Sequence, residues 1–360
     1  MKPFRIHVPD DIRDDLYRRL EHTMLPTPTP GPAWSRGMPP DVLERLVRSW
    51  RSDFDWEAEE ERLNRYEHAI VTIDGCDIHV ARRRGEAQGR VPVILTHGWP
   101  YTFNEMLPTL EAIDGALDVV VPSLPGFTWS GVLPERWSDS AVARRWHTLM
   151  TDVLGYDRYI TYGEDVGANI SDRIAATYPD AVAGIVASHA SFSARERDPD
   201  SLTAEEQAFF DAFNQPEESG YAHQQATRPD TLAAGLTDSP AGLLAWIAEK
   251  YAAWGPGGGL DHLAEREILT PAMLFWSTRS IGTSLRPYAE HQNEPPHPPI
   301  EVPAALVIQQ RESTYPRSLG EKTYRDIRSF EVLEAGGHFP AWQAPHTIAR
   351  TILALEESVR

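Results

Sequence analysis

Apolar positions change their spacing several times along this chain. "DDIRDDLYRRLEHT" repeats at helical intervals, and "PDVLERLVRSWRSDFDWEAEEERLNRY" does so again, with Pro40 suited to a first turn. Between them, "LPTPTPGPAWSRGMPP" cannot be regular, because each proline lacks an N–H donor and restricts its predecessor. From His68 the period shortens to two. "HAIVTIDGCDIHVARRR" reads as two strands joined near Asp74-Gly75, a hairpin signal.

Strands and helices then alternate. "VPVILTHG", "LDVVVPSLPG", "RYITYGE" and "VAGIVASHA" read as strands, and "TFNEMLPTLEAI", "DSAVARRWHTLMTDVLG" and "GANISDRIAATYP" as the helices between them. This order predicts an α/β fold with a mostly parallel sheet covered on both faces. The alternation stops near residue 192. About 100 helix-rich residues follow, ending in the proline-rich "NEPPHPPIEVP". "AALVIQQRE" and "RSFEVLEAGG" resume as strands, and "HTIARTILALEESVR" closes as a helix. The expected organisation is an N-terminal extension (1–65), a core sheet domain (66–194 and 296–360) and a helical lid (195–295) inserted between core strands.

Composition narrows the partners. The 360 residues fit one large α/β domain with insertions, and 41% are hydrophobic, enough for a sizeable core. A net charge of −19, from 34 basic and 53 acidic residues, argues against nucleic acid and anionic membrane surfaces. The single cysteine, Cys76, excludes an intrachain disulfide. "MKPFRIHVPDDIRDD" has no apolar targeting core, and no stretch approaches a membrane span, so a soluble cytoplasmic protein is expected. The abundance of Ala, Arg, Pro and Asp points to a bacterial chain.

Candidate chemistry begins at "TYGEDVGANI". Glycine, any residue, acid, any residue, glycine stands where many hydrolases carry a serine between the glycines. A tight strand-to-helix turn needs those glycines and pushes its tip out over the sheet's carboxyl end. Asp165 occupies that tip. The competing reading is that it only caps the next helix. "HGWP", His97 to Pro100, follows a core strand; its backbone N–H groups, with that of Val166, could hold an oxyanion. An ordinary turn around a buried tryptophan would look the same. "PSLPGF" after the next strand is a similar signal. In "AGGHFPAW", His338 lies after the last strand, where a sheet's final loop offers a general base; a partly buried loop histidine is the alternative. Glu312 in "QQREST" follows the penultimate strand and could orient that histidine, or could be an exposed loop acid. The other common site for this acid, after "VAGIVASHA", has no carboxylate until Glu196. Asp165, Glu312, His338 is the order nucleophile, acid, histidine that an α/β-hydrolase requires.

Along nearly its whole length the chain resembles the α/β-hydrolase epoxide hydrolases of the microsomal type, with their N-terminal extension. "SDFDWEAEEERLNRY", "HGWP", "GGHF" and "SLRPYAE" carry the resemblance, and "ESGYAHQQATRPDTLAAGLTDSPAGLLAWIAEKYAAW" is its most specific stretch. The resemblance implies Asp165 as nucleophile, His338 as base, Glu312 as its acid, and Tyr221 and Tyr288 as lid tyrosines holding an epoxide oxygen. The implied substrate is a small-molecule epoxide, and no metal or organic cofactor is required. A carboxylate is already ionised at neutral pH and can attack carbon directly. It forms an ester that water can cleave, whereas a serine would leave an inert ether. The Trp99 and Val166 N–H groups would hold the oxyanion of that cleavage, and His97 and Pro100 would line the pocket.

This chain departs from the family at Glu164 and Val166, where a second glycine and a tryptophan are usual, and matches it weakly around Glu312. The membrane anchor of mammalian members is not expected here. Bacterial relatives include catabolic enzymes and enzymes of antibiotic biosynthesis. Acidic soluble hydrolases with exposed lids often pair, so a homodimer stays open. Two rival readings remain. A haloalkane or haloacid dehalogenase shares the aspartate but offers indole donors to a halide, and 11 tryptophans permit that. A catalytically silent relative would only bind ligand or act as a scaffold.

Overall fold

A computed structural model describes residues 1–189, 191–213, 219–290 and 294–360, with only the backbone of Phe213 and Arg311. Glu218, which opens the lid stretch quoted above, and Asn293, which opens the second proline-rich run, lie outside the described residues. A nine-stranded sheet comprises β1 (Lys2–Phe4), β2 (Glu67–Ile73), β3 (Cys76–Arg83), β4 (Val93–Thr96), β5 (Val119–Pro122), β6 (Tyr159–Gly163), β7 (Val182–Ala187), β8 (Ile300–Ile308) and β9 (Tyr324–Val332). Their order is β1-β2-β3-β5-β4-β6-β7-β8-β9. The pairs from β1 to β3 and β3 with β5 are antiparallel, and the remainder are parallel. β4, β5, β6 and β7 are buried at every position, as strands covered on both faces must be.

The Asp74-Gly75 hairpin forms, with φ of 46° and 73° at its two turn residues. One strand was not legible beforehand. Lys2–Phe4 pairs with β2, so the extension supplies a sheet edge as well as helices. A three-residue strand is too short to show a period, and Pro3 is tolerated there because an edge strand need not donate from every residue.

Between β7 and β8 the described residues are mostly helical, including Gly220–Thr227, Pro229–Asp238, Pro240–Trp254, Glu265–Thr278 and Arg286–Glu290. These helices sit against the carboxyl ends of the strands: the Tyr251 hydroxyl donates to the Pro100 carbonyl at 3.3 Å, and the His338 N–H donates to the Trp254 carbonyl at 2.9 Å. The extension packs against the helical insertion. Buried Glu59 accepts from Arg62 Nε at 2.9 Å and from the Thr270 hydroxyl at 2.9 Å, joining extension and insertion. Arg62 also bonds Asn104 of the core. Among the described residues, no helix is long and apolar enough to cross a membrane.

Candidate active site

At the tip between β6 and helix Val166–Thr177 stands Asp165, with φ 54° and ψ −127°. Such a conformation is costly for a non-glycine residue and persists only where its surroundings impose it. The turn is held by close packing: a Cβ on Gly167 would lie 2.3 Å from the Thr96 carbonyl oxygen. Asp165 makes no capping bond to its helix, so its carboxylate is directed elsewhere. Oδ1 accepts from the Trp99 backbone N–H at 3.0 Å. Oδ2 lies 3.4 Å from His338 Nε2. Burial pushes the carboxyl pKa up. The nearby His338 ring, with the N–H groups of Trp99 and Val166, outweighs it and brings the net value below the usual range.

Trp99 organises the other wall. Its indole stacks on the Tyr221 ring, with centroids 5.4 Å apart and planes 7° apart, and meets Tyr288 edge-on at 5.7 Å. The two tyrosine rings are 5.8 Å apart. Tyr288 stays firmly protonated because of burial first, then the charge of Asp165, then its contact with Tyr221. Both lid tyrosines therefore share one aromatic cluster with the turn that binds Asp165. Lys250 places its ammonium 4.7 Å from the Tyr221 ring centroid and 5.6 Å from that of Trp254, over their faces.

His97 and Pro100 shape the turn from within. His97 is fully buried, and its nitrogens engage the Leu124 N–H at 3.0 Å and the Gly98 carbonyl at 2.9 Å. The Trp99-Pro100 bond is cis.

Glu312 is buried on the short Gln310–Glu312 turn after β8. Its Oε1 lies 4.0 Å from Nδ1 of His189, a residue the sequence reading passed over. His189 accepts from the Asp165 backbone N–H at 3.3 Å, and its ring meets that of His338 edge-on with centroids 4.8 Å apart. It therefore stands among Asp165, His338 and Glu312. His189 stands two residues past the end of β7.

Glu164, the residue before Asp165, points inward. It is fully buried, and Oε1 accepts from the Tyr162 hydroxyl and the Ala341 N–H. Burial pushes its carboxyl up to about 8.

Three comparisons bear on this arrangement. Residues 1–106 match the epoxide hydrolase N terminus family, and residues 91–345 match the alpha/beta hydrolase fold family. The juvenile hormone epoxide hydrolase of Bombyx mori is 31% identical, covering 98% of this chain and 86% of that protein. Epoxide hydrolase 1 of Sus scrofa is 29% identical, covering 98% and 87%. Among solved structures, the Aspergillus niger epoxide hydrolase superposes with a TM-score of 0.87 at 29% identity, covering all of this chain and 96% of that one. The chain therefore belongs to the epoxide hydrolases of the alpha/beta hydrolase fold, with their characteristic N-terminal region.

Proposed function

We propose that the chain opens an epoxide to a vicinal diol through a covalent ester on Asp165, beneath a lid formed by residues 195–295. The observation that carries this reading is the division of the Asp165 carboxylate. One oxygen is held by the Trp99 N–H, and the other faces His338 at 3.4 Å.

Asp165 Oδ2 attacks a ring carbon, and the ring C–O bond breaks. The departing oxygen takes a proton from Tyr221 or Tyr288. Oδ1 becomes the ester carbonyl oxygen, already in its oxyanion site. His338, supported by Glu312 and His189, takes a proton from water while the hydroxide adds to the ester carbon. Collapse breaks the acyl–oxygen bond, and the diol oxygen takes the proton from His338. The proton left on the regenerated carboxyl returns to the tyrosinate through solvent. Each step uses side chains of this chain and water only.

His338→Gln tests the reading. Ring opening needs no base, so the variant incubated with an aryl epoxide should gain one substrate mass on the peptide containing Asp165. Wild-type enzyme in a single turnover in ¹⁸O water should release a first diol without label and place label in Asp165. Direct labelling of that diol, with no adduct in the variant, would show that water attacks the epoxide itself. Halide release from a haloalkane, without diol from any epoxide, would favour the dehalogenase.

A further inference from the structure

Glu164 bridges two segments that must agree for the second half-reaction. Its backbone N–H donates to the Thr96 carbonyl at 3.1 Å, which fixes it to β4. Its side chain reaches the Ala341 N–H, three residues beyond His338. Ala341 is anchored from the other side, where its carbonyl accepts from the Thr109 hydroxyl at 2.8 Å. Phe339, between the two, is fully buried and packs against His338 at 5.2 Å and Tyr101 at 5.0 Å. The loop carrying the base is thus tied directly to the residue adjoining the nucleophile.

We propose that Glu164 is a positioning residue that sets the alignment of His338 with the Asp165 ester, and that it acts chiefly on ester hydrolysis. This rests on the covalent reading above. Ring opening needs only the carboxylate and the tyrosines, neither of which depends on the Ala341 contact. Ester hydrolysis needs a water held between His338 and the ester carbon, so a small displacement of the loop weakens that step selectively. The groups facing Glu164 are Tyr162 from β6, Tyr101 from the turn after β4, and the neighbouring Asp165. No cation opposes it among these, so a neutral side chain that accepts the same two hydrogen bonds should serve as well.

The test separates the two steps by rapid-quench mass spectrometry with an aryl epoxide. In Glu164→Ala, ester formation should stay within about threefold of wild type, while ester hydrolysis slows by about tenfold or more. Glu164→Gln, whose amide oxygen can accept from Tyr162 and Ala341, should restore hydrolysis to within about threefold. Ala341→Pro removes the same bond from its donor side and should reproduce the hydrolysis defect, which keeps the test available if Glu164→Ala does not fold. Hydrolysis at the wild-type rate in Glu164→Ala, or a defect in Glu164→Gln as large as in Glu164→Ala, would overturn the proposal. If no ester forms even in His338→Gln, the covalent reading fails first, and this outcome is distinct from the other two.

Discussion

The backbone N–H of Trp99 reaches Oδ1 of Asp165 at 3.0 Å, across a turn whose preceding residue is Gly98. The approach is close enough that a Cβ on Gly98 would fall 2.4 Å from the Cβ of Asp165. Gly98→Ala must therefore displace Asp165 or the turn. Ester formation should slow by about a hundredfold while the far-UV circular dichroism keeps its native form. A variant with normal single-turnover kinetics would show that the turn does not set the aim of the carboxylate.

The acid limb of ring opening should depend on His338. With burial working against ionisation, the contribution of His338 helps keep Asp165 below the ordinary carboxylate range. Its removal leaves burial less opposed. In His338→Gln the rate of adduct formation should lose its acid limb at a higher pH than in wild type. Quenched-flow measurements across the acid range give the comparison. An unmoved limb would mean that the Trp99 and Val166 amides suffice.

Loss of one lid hydroxyl should be tolerated better than loss of both. Tyr221 and Tyr288 lie together against Trp99, and under the proposed function either would protonate the opening ring when the other is phenylalanine. Each single Tyr→Phe change should slow ester formation by about tenfold to a hundredfold, and the double change should nearly abolish it. Equal rates in the double variant and either single one would show that only one tyrosine acts.

Glu164 should also shape stability against pH. Its folded-state value, about 8, exceeds that of an unfolded glutamate. Between the two values the folded protein binds more protons than the unfolded one, so this group favours folding at low pH and loses its effect as pH rises toward 8. Glu164→Gln cannot ionise. Its midpoint of thermal unfolding, relative to wild type, should therefore rise progressively between about pH 5 and pH 8. A constant difference across that range would show that Glu164 does not change its proton affinity on folding.

The core was legible because its periods are long and repeated. β4 to β7 each carry an apolar run between turn residues, and the Asp165 turn combines glycines with a strand-to-helix change that few other functions require. Lys2–Phe4 was not legible, since its pairing depends on β2, more than 60 residues away. His189 was hidden for a different reason. Its identity as a site residue comes from the Asp165 N–H and the His338 ring converging on it, and a single histidine after a strand announces neither. Glu164 could be placed beside Asp165, but only the fold shows its carboxyl turned inward to the loop that carries His338.

Glu59 has a consequence for engineering. Because it binds both Arg62 and Thr270, the helical insertion is not an independent cassette. A chimaera that imports a relative's insertion without a hydroxyl at position 270 would leave a buried acceptor short of one donor, at a cost of about 1.5–3 kcal/mol. The smallest unit that carries this bond therefore joins the insertion to the helix Trp56–Leu63, and it is discontinuous in sequence.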